Sequence, residues 1–190
     1  TTLAENRTEF GNLPHTASEV GAIADLIGGD AFIGPMATEA AFKAQASEYR
    51  LLHLASHFVL NDSSPMASGI LFTADSSQTE DGILHIYELF DLPLNAELAV
   101  LSACNTGSGK QLRGEGQLSL AWGFRMAGCP AMVVSLWNAN DQATSGLMSD
   151  FYEALDEGQR KDAALNQARS RYLASADNFR AHPYFWSQFV

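Results

Sequence analysis

Cysteine is nearly absent: the 190 residues hold only Cys104 and Cys129. Two thiols exclude a disulfide scaffold and a cysteine-rich zinc cluster, so free thiols in a reducing, cytoplasmic setting are expected. Positive charge is scarce too, with 11 Lys and Arg against 22 Asp and Glu and a net charge of −11. That field repels phosphate backbones and anionic lipid surfaces, which argues against direct nucleic-acid or membrane binding and weakly favours cationic ligands. No apolar run approaches the roughly 20 residues of a membrane span, and no internal repeat or low-complexity tract interrupts the chain.

The composition is that of a soluble globular domain, 46% hydrophobic and 17% charged with 11 phenylalanines for packing. Such a length buries one core without staples. Residues 1–12 are polar and read as a separate segment or the remnant of an upstream region, and residues 13–190 as the domain. Thr16-Ala-Ser-Glu19 has capping-box spacing and opens a helix with Val20, Ile23, Ala24 and Ile27 on one stripe, stopped by Gly28 and Gly29. A short extended piece at Phe32 and Ile33 follows, then a helix from Thr38 to about Tyr49.

Leu51 to Ala55 is an apolar run suited to a strand buried on both faces, and it ends in Ser56-His57. The polar stretch 61–81 reads as a long loop around one strand at Ile70, Leu71 and Phe72. Leu98 to Ala103 is the clearest strand and runs into the Gly-rich turn Cys104-Asn-Thr-Gly-Ser-Gly. Glu115 to Ala127 reads as a helix ended by Gly128, and Ala131 to Leu136 as a strand followed by Trp137-Asn-Ala-Asn-Asp141. Two amphipathic helices close the chain, one on Leu147, Met148, Phe151 and Leu155, the other on Leu165, Ala168 and Tyr172. Strands alternating with helices predict an α/β fold, a mainly parallel sheet with helices on both faces. The carboxyl ends of such strands share one edge, where His57, Cys104 and the loop from Trp137 to Asp141 are expected to meet.

A cysteine attacks as its thiolate, which a neighbouring imidazole generates or stabilises, and Cys104 and His57 are the residue types for that pair. The oxyanion formed on a peptide carbonyl needs fixed donors, for which the backbone amides of Cys104 and Phe58 are the candidates. Trp137 and Asp141 are the candidate substrate contacts: an acid beside an indole suits a basic side chain, and an acid at a helix start equally serves as a cap. Structural readings compete with each of these. A single cysteine after a strand is more often a packed thiol, and a single histidine more often a structural hydrogen-bonding group. His53, inside the apolar strand, reads as such a group, and Cys129, between Gly128 and Pro130, as packing. His53 and His57 share the spacing of a zinc-binding helix, but the segment reads as strand and the central Glu is missing, so no metal is expected. Gly107-Ser-Gly109 and Gly114-Glu-Gly116 lack the full spacing of a phosphate loop with its following Lys-Ser or Lys-Thr. On the residue pattern alone the function stays open.

The segments Leu51-Leu-His-Leu-Ala-Ser-His57, Leu101-Ser-Ala-Cys-Asn-Thr-Gly107 and Ser135-Leu-Trp-Asn-Ala-Asn-Asp141, in that order, closely resemble the signature of the CHAT family. These are caspase-like peptidase domains of clan CD, often joined to tetratricopeptide repeats in bacteria. The likeness continues through Gly114-Glu-Gly116, Ala127-Gly128, Phe151-Tyr152 and Tyr184-Phe-Trp-Ser-Gln-Phe-Val190. It implies a caspase-like three-layer sandwich and a cysteine endopeptidase with His57 as general base and Cys104 as nucleophile. Such an enzyme needs no cofactor, acts on a protein or peptide substrate, and has tetratricopeptide repeats or a regulatory partner as neighbours. The stretch from Gly116 to Asp141 also looks like the matching part of separase, a caspase-like protease that cleaves after arginine, which implies a basic residue before the scissile bond. Phe58 stands where many relatives carry Gly after the histidine, and the chain starts inside the usual span of a CHAT region. A catalytically silent caspase-like interaction module is the runner-up, and a flavodoxin-like ligand binder, suggested by fold analogy, the third reading.

Overall fold

Short apolar runs become strands and longer amphipathic ones helices, in the order that the pattern predicts. α1 (Thr16–Ile27) ends where Gly28 takes the left-handed conformation, φ +68°, and its N–H closes on the Ala24 carbonyl. α2 (Glu39–Gln45) is capped by the Thr38 hydroxyl, which accepts from the Ala41 amide at 3.1 Å. β1 (Leu51–Leu54), β2 (Phe58–Val59), β3 (Gly69–Leu71), β4 (Ile83–His85) and the one-turn helix α3 (Ile86–Leu89) follow. β5 (Leu98–Leu101), α4 (Glu115–Met126), β6 (Met132–Val134), α5 (Asp141–Asp156) and α6 (Lys161–Ser175) complete the chain. The computed structural model describes residue 13 and residues 15–61, 63–75, 80–102, 115–137 and 141–190. The expectations for residues 1–12, for Cys104 and for its Gly-rich turn fall outside the described residues.

Among the described residues the larger sheet is parallel throughout, in the order β1-β5-β6. Because side chains alternate across a strand, β5 feeds two cores. Ala99 and Leu101 join Leu52 and Val134 on one face, against Ile86 and Leu89 of α3 and Leu120 and Phe124 of α4. Leu98 and Val100 join Val133 on the other, against Ile23 of α1, Leu147 and Phe151 of α5 and Leu165 of α6. All four β5 residues are buried, which is why the strand reads as unbroken apolar sequence instead of alternating. The result is the three-layer α/β sandwich that the sequence predicts.

A second, antiparallel sheet in the order β2-β3-β4 flanks it. Sequence reading finds only β3 there, because β2 and β4 are two and three residues long and carry no periodicity of their own. β3 must start with glycine: a Cβ at Gly69 would run into the Leu84 carbonyl. Ile33 is extended, as expected, and leads into a 3₁₀ turn, Gly34–Met36. Two further expectations are corrected. α2 is shorter than expected, and a 3₁₀ turn, Ala46–Glu48, bridges it to Tyr49. The capping box at Thr16 does not form: His15 precedes the helix without a side-chain cap bond, and the Thr16 hydroxyl donates to the Leu13 carbonyl at 2.8 Å. Glu19 is instead turned into the core.

Candidate active site

β1 and β5 run side by side in register from Leu51 opposite Leu98 to Leu54 opposite Leu101. The pairing reaches one step further, since the Ser102 amide donates to the Leu54 carbonyl at 3.2 Å. His57 lies three residues past the end of β1 and is buried, at 7% exposure. The turn that carries it is fixed from β3: the Ser56 hydroxyl donates to the Leu71 carbonyl, and the Leu71 amide donates to the His57 carbonyl at 2.9 Å. That bond makes His57 and Leu71 a bonded pair, so the next pair, Phe58 and Ile70, sits in the alternate register with its amides turned outward. The Phe58 ring is buried in the core while its N–H faces out of the β2–β3 pair. The amide is thus not used in the β2–β3 ladder, whatever the side chain.

On the other side of β5, β6 delivers the third expected group. The Ser135 hydroxyl donates to the Trp137 carbonyl at 2.6 Å and folds the strand exit back on itself. Trp137 is half-buried, and α5 starts at Asp141. His57 and Trp137 thus leave the sheet on the same edge, from strands either side of β5, each about 4.8 Å from it. Cys104, which follows β5 between them in sequence order of the strands, is outside the described residues.

His53 belongs to another cluster. It points to the face opposite α4, where its Nε2 lies 3.0 Å from the Glu19 carboxylate and its Nδ1 3.0 Å from the Tyr152 hydroxyl. Glu19 and Tyr152 are buried, and burial, together with the Glu19 charge, holds the Tyr152 hydroxyl well above the usual phenol range. Both ring nitrogens of His53 are therefore occupied by structural partners. A cavity of about 290 Å³ runs along this part of β1, lined by Val20, Phe32, Phe42, Tyr49, His53 and Ser56 among others. It is mostly apolar, and it ends at the residue before His57 without including it.

Two more groups of reactive side chains have structural partners. The Lys43 ammonium lies 2.6 Å from Glu39, 2.8 Å from Glu80 and 2.7 Å from Glu88. Burial alone would lower its pKa, but the hydrogen bonds it donates to the three carboxylates win and raise it. A cation thus already sits where these three acids converge. The Cys129 thiol is buried and donates to the Ala131 carbonyl at 3.2 Å, and burial pushes it up from its ordinary pKa, so it is poorly suited to attack. The partner that sequence reading missed is Glu19. Its signal was present: Glu19 falls on the apolar stripe of α1, one turn before Ile23, where an acid needs a buried partner. The Ser56–Leu71 latch left no trace in the sequence, because it joins residues 15 apart through a strand with no visible pattern.

Comparison with known proteins adds three matches. The CHAT domain family matches residues 2–190. Tetratricopeptide repeat protein 28 of Mus musculus is 23% identical over 216 aligned residues, which cover 97% of this chain and 9% of that protein. Its Homo sapiens counterpart is 24% identical, with the same 97% and 9% coverage. The chain spans less than a tenth of the length of these curated relatives.

Proposed function

The chain belongs to the CHAT domain family, which is related to the caspase-like cysteine peptidases, and from that membership we propose that it is a cysteine endopeptidase in which His57 activates Cys104. His57 takes the thiol proton, and the thiolate adds to the scissile carbonyl of a protein or peptide. The backbone amides of Phe58 and Cys104 receive the oxyanion. The imidazolium then protonates the leaving amine, and water, deprotonated by the same imidazole, hydrolyses the acyl-enzyme. No cofactor enters these steps. Trp137 and Asp141 take the side chain before the scissile bond, a basic one, which also suits the net charge of −11.

The observation that carries this reading is the β1–β5 register with His57 just beyond it. Parallel neighbours release their following loops at one edge, and a dyad needs that proximity. The outward Phe58 amide and the inert Cys129 add support. The test is a screen of fluorogenic peptides that vary the residue before the scissile bond, on wild type, Cys104→Ala and His57→Ala. Cleavage after Arg or Lys that disappears in both variants supports the proposal, and a wild type that turns over no peptide and no protein substrate counts against it.

The second reading, an interaction module without turnover, draws on the relatives, which are named for tetratricopeptide repeats. We propose such repeats as partners of this domain under either reading. A peptide-based thiol probe separates the two, since a silent module labels Cys104 no faster than an ordinary thiol. A content of only two cysteines favours a cytoplasmic location, and among the described residues no helix is long and apolar enough to cross a membrane.

A further inference from the structure

Residues 184–190 bond to Trp137, one candidate substrate contact, and to the first turn of α5, the helix that begins at the other. Residues 188–190 run antiparallel to β6: Val134 and Val190 exchange backbone bonds of 2.9 and 3.0 Å, the Leu136 amide donates to the Gln188 carbonyl at 2.8 Å, and Ser135 pairs with Phe189. The Arg169 guanidinium of α6 donates to the Phe189 carbonyl, and the Phe189 ring is fully buried, so this tail is anchored from behind. From that anchor it reaches the site at two points. The Trp137 indole N–H donates to the Tyr184 carbonyl at 2.9 Å, and the two rings lie nearly parallel, 21° apart with centroids at 6.4 Å. Gln188, wholly buried, donates from its side-chain amide to the Thr144 hydroxyl at 3.1 Å, in the first turn of the helix that starts at Asp141.

Building on the peptidase reading above, we infer that Tyr184 and Gln188 are positioning residues for the substrate side chain before the scissile bond. Tyr184 fixes the plane of the Trp137 ring, and Gln188 fixes the start of α5 relative to it. The Ser135 hydroxyl holds the Trp137 backbone at the strand exit, and the bond and ring contact from Tyr184 act on the indole itself. Displacements of about 1 Å in such a pocket are enough to weaken binding severely. These bonds act on the Trp137 indole and on the first turn of α5, so the effect inferred for them is on substrate binding and not on thiol reactivity.

Two variants test this in the full chain. Gln188→Met keeps the length of the side chain and removes its amide, and Tyr184→Ala removes a ring that is half exposed and leaves the carbonyl that the indole uses. With a fluorogenic peptide carrying Arg before the scissile bond, each variant raises KM about tenfold, the effect of losing one hydrogen bond or ring contact. Meanwhile kcat and the rate of Cys104 alkylation by iodoacetamide stay within about twofold of wild type, as removal of uniform binding requires. An unchanged KM in both variants overturns the inference, as does an alkylation rate that falls in step with KM. If the wild type cleaves no peptide, the peptidase reading fails separately, and amide hydrogen exchange decides the tail's role. Faster exchange at Leu136 and at residues 141–144 in Gln188→Met supports it, and exchange equal to wild type overturns it.

Discussion

Leu54 stands opposite Leu101 across the β1–β5 pair, 47 residues later in the chain (101 − 54). His57 and Cys104 are separated by the same 47 residues in sequence (104 − 57), so each member of the proposed pair comes three positions after one of these partnered leucines. Neighbouring strands lie only about 4.8 Å apart, and the proposed dyad would draw on that proximity. A paired imidazole lowers a thiol's pKa, so Cys104 alkylation by iodoacetamide at pH 6.5 is expected to run at least about tenfold faster than that of Cys129, and to lose that advantage in His57→Ala. Peptide mapping of the two thiols by mass spectrometry reads the rates separately. Equal rates at Cys104 in wild type and His57→Ala would deny the pair.

The latch between Ser56 and Leu71 holds the turn that carries His57. Ser56→Ala removes one of its two bonds, at a cost of about 1 kcal/mol in stability. If His57 is the proposed base, activity should suffer more than stability, with kcat/KM down about tenfold, because the turn that carries the imidazole loses one of its fixings. Urea unfolding and peptide hydrolysis on the same samples check the split. A fall in stability with unchanged kcat/KM would make the latch purely structural.

Tyr152 gives a pH dependence whose sign follows from its burial. Its hydroxyl is held neutral well above the usual phenol pKa of 10.0, so above about pH 10 the unfolded chain releases this proton while the folded chain keeps it. Stability contributed by the neutral hydroxyl is complete below that pH and is lost as the pH rises. Between pH 10 and 11 wild type should therefore lose up to about 1.4 kcal/mol more than Tyr152→Phe. At neutral pH the order reverses, since the variant leaves the His53 ring without one partner, at about 1 kcal/mol. Urea titrations at pH 7, 10 and 11 give both numbers, and parallel pH profiles for the two proteins would refute the first.

Much of this architecture was legible in the sequence, and the reasons are specific. β5 is apolar at every position because helices cover both of its faces, and no other reading of Leu98 to Leu101 buries all four side chains. Gly28 marks the end of α1 because only glycine takes φ +68° at no steric cost. The β2-β3-β4 sheet was hidden for the opposite reason: Phe58, Val59 and Ile83 to His85 are set in place by long-range pairing, and their local sequence expresses no period. Glu19 misled because the spacing that makes a capping box is also the spacing that places an acid one turn ahead of Ile23, and the buried His53 ring, 34 residues away, wins it. The pairing of the tail with β6 was likewise invisible, since it joins residues more than fifty positions apart.

Lys43 supports a buried acid, and its removal should expose how much. Burial raises the pKa of Glu39 even with the Lys43 ammonium 2.6 Å away, so the ionised carboxylate is costly at neutral pH and the lysine offsets that cost. Lys43→Met is expected to lose about 3 kcal/mol at pH 7. A group whose folded pKa is raised favours the fold below its unfolded value and ceases to do so as pH rises, so the variant should recover toward wild type as the pH falls to about 4. Glu39→Gln in the Lys43→Met background should restore part of the loss at pH 7. Denaturation midpoints that are independent of pH, with no rescue by Glu39→Gln, would place the stabilising role elsewhere in the cluster.

The preference for a basic side chain is the most exposed part of the functional proposal, because it rests on Asp141 at the start of α5 and Trp137 at the exit of β6. Asp141 opens α5, whereas Asp150, further along the same helix, is paired with Arg171 at 3.3 Å. A carboxylate that meets a substrate guanidinium contributes a charge-assisted hydrogen bond, so Asp141→Asn should lower kcat/KM for an Arg peptide about ten- to hundredfold. The same change should leave a peptide with an apolar residue at that position within about threefold of wild type, since no buried charge is then left unpaired. If Asp141 only capped α5, its replacement by Asn, an equally good cap, would leave both peptides untouched. The ratio of the two kcat/KM values, measured on one preparation, therefore separates substrate recognition from helix capping without reference to folding.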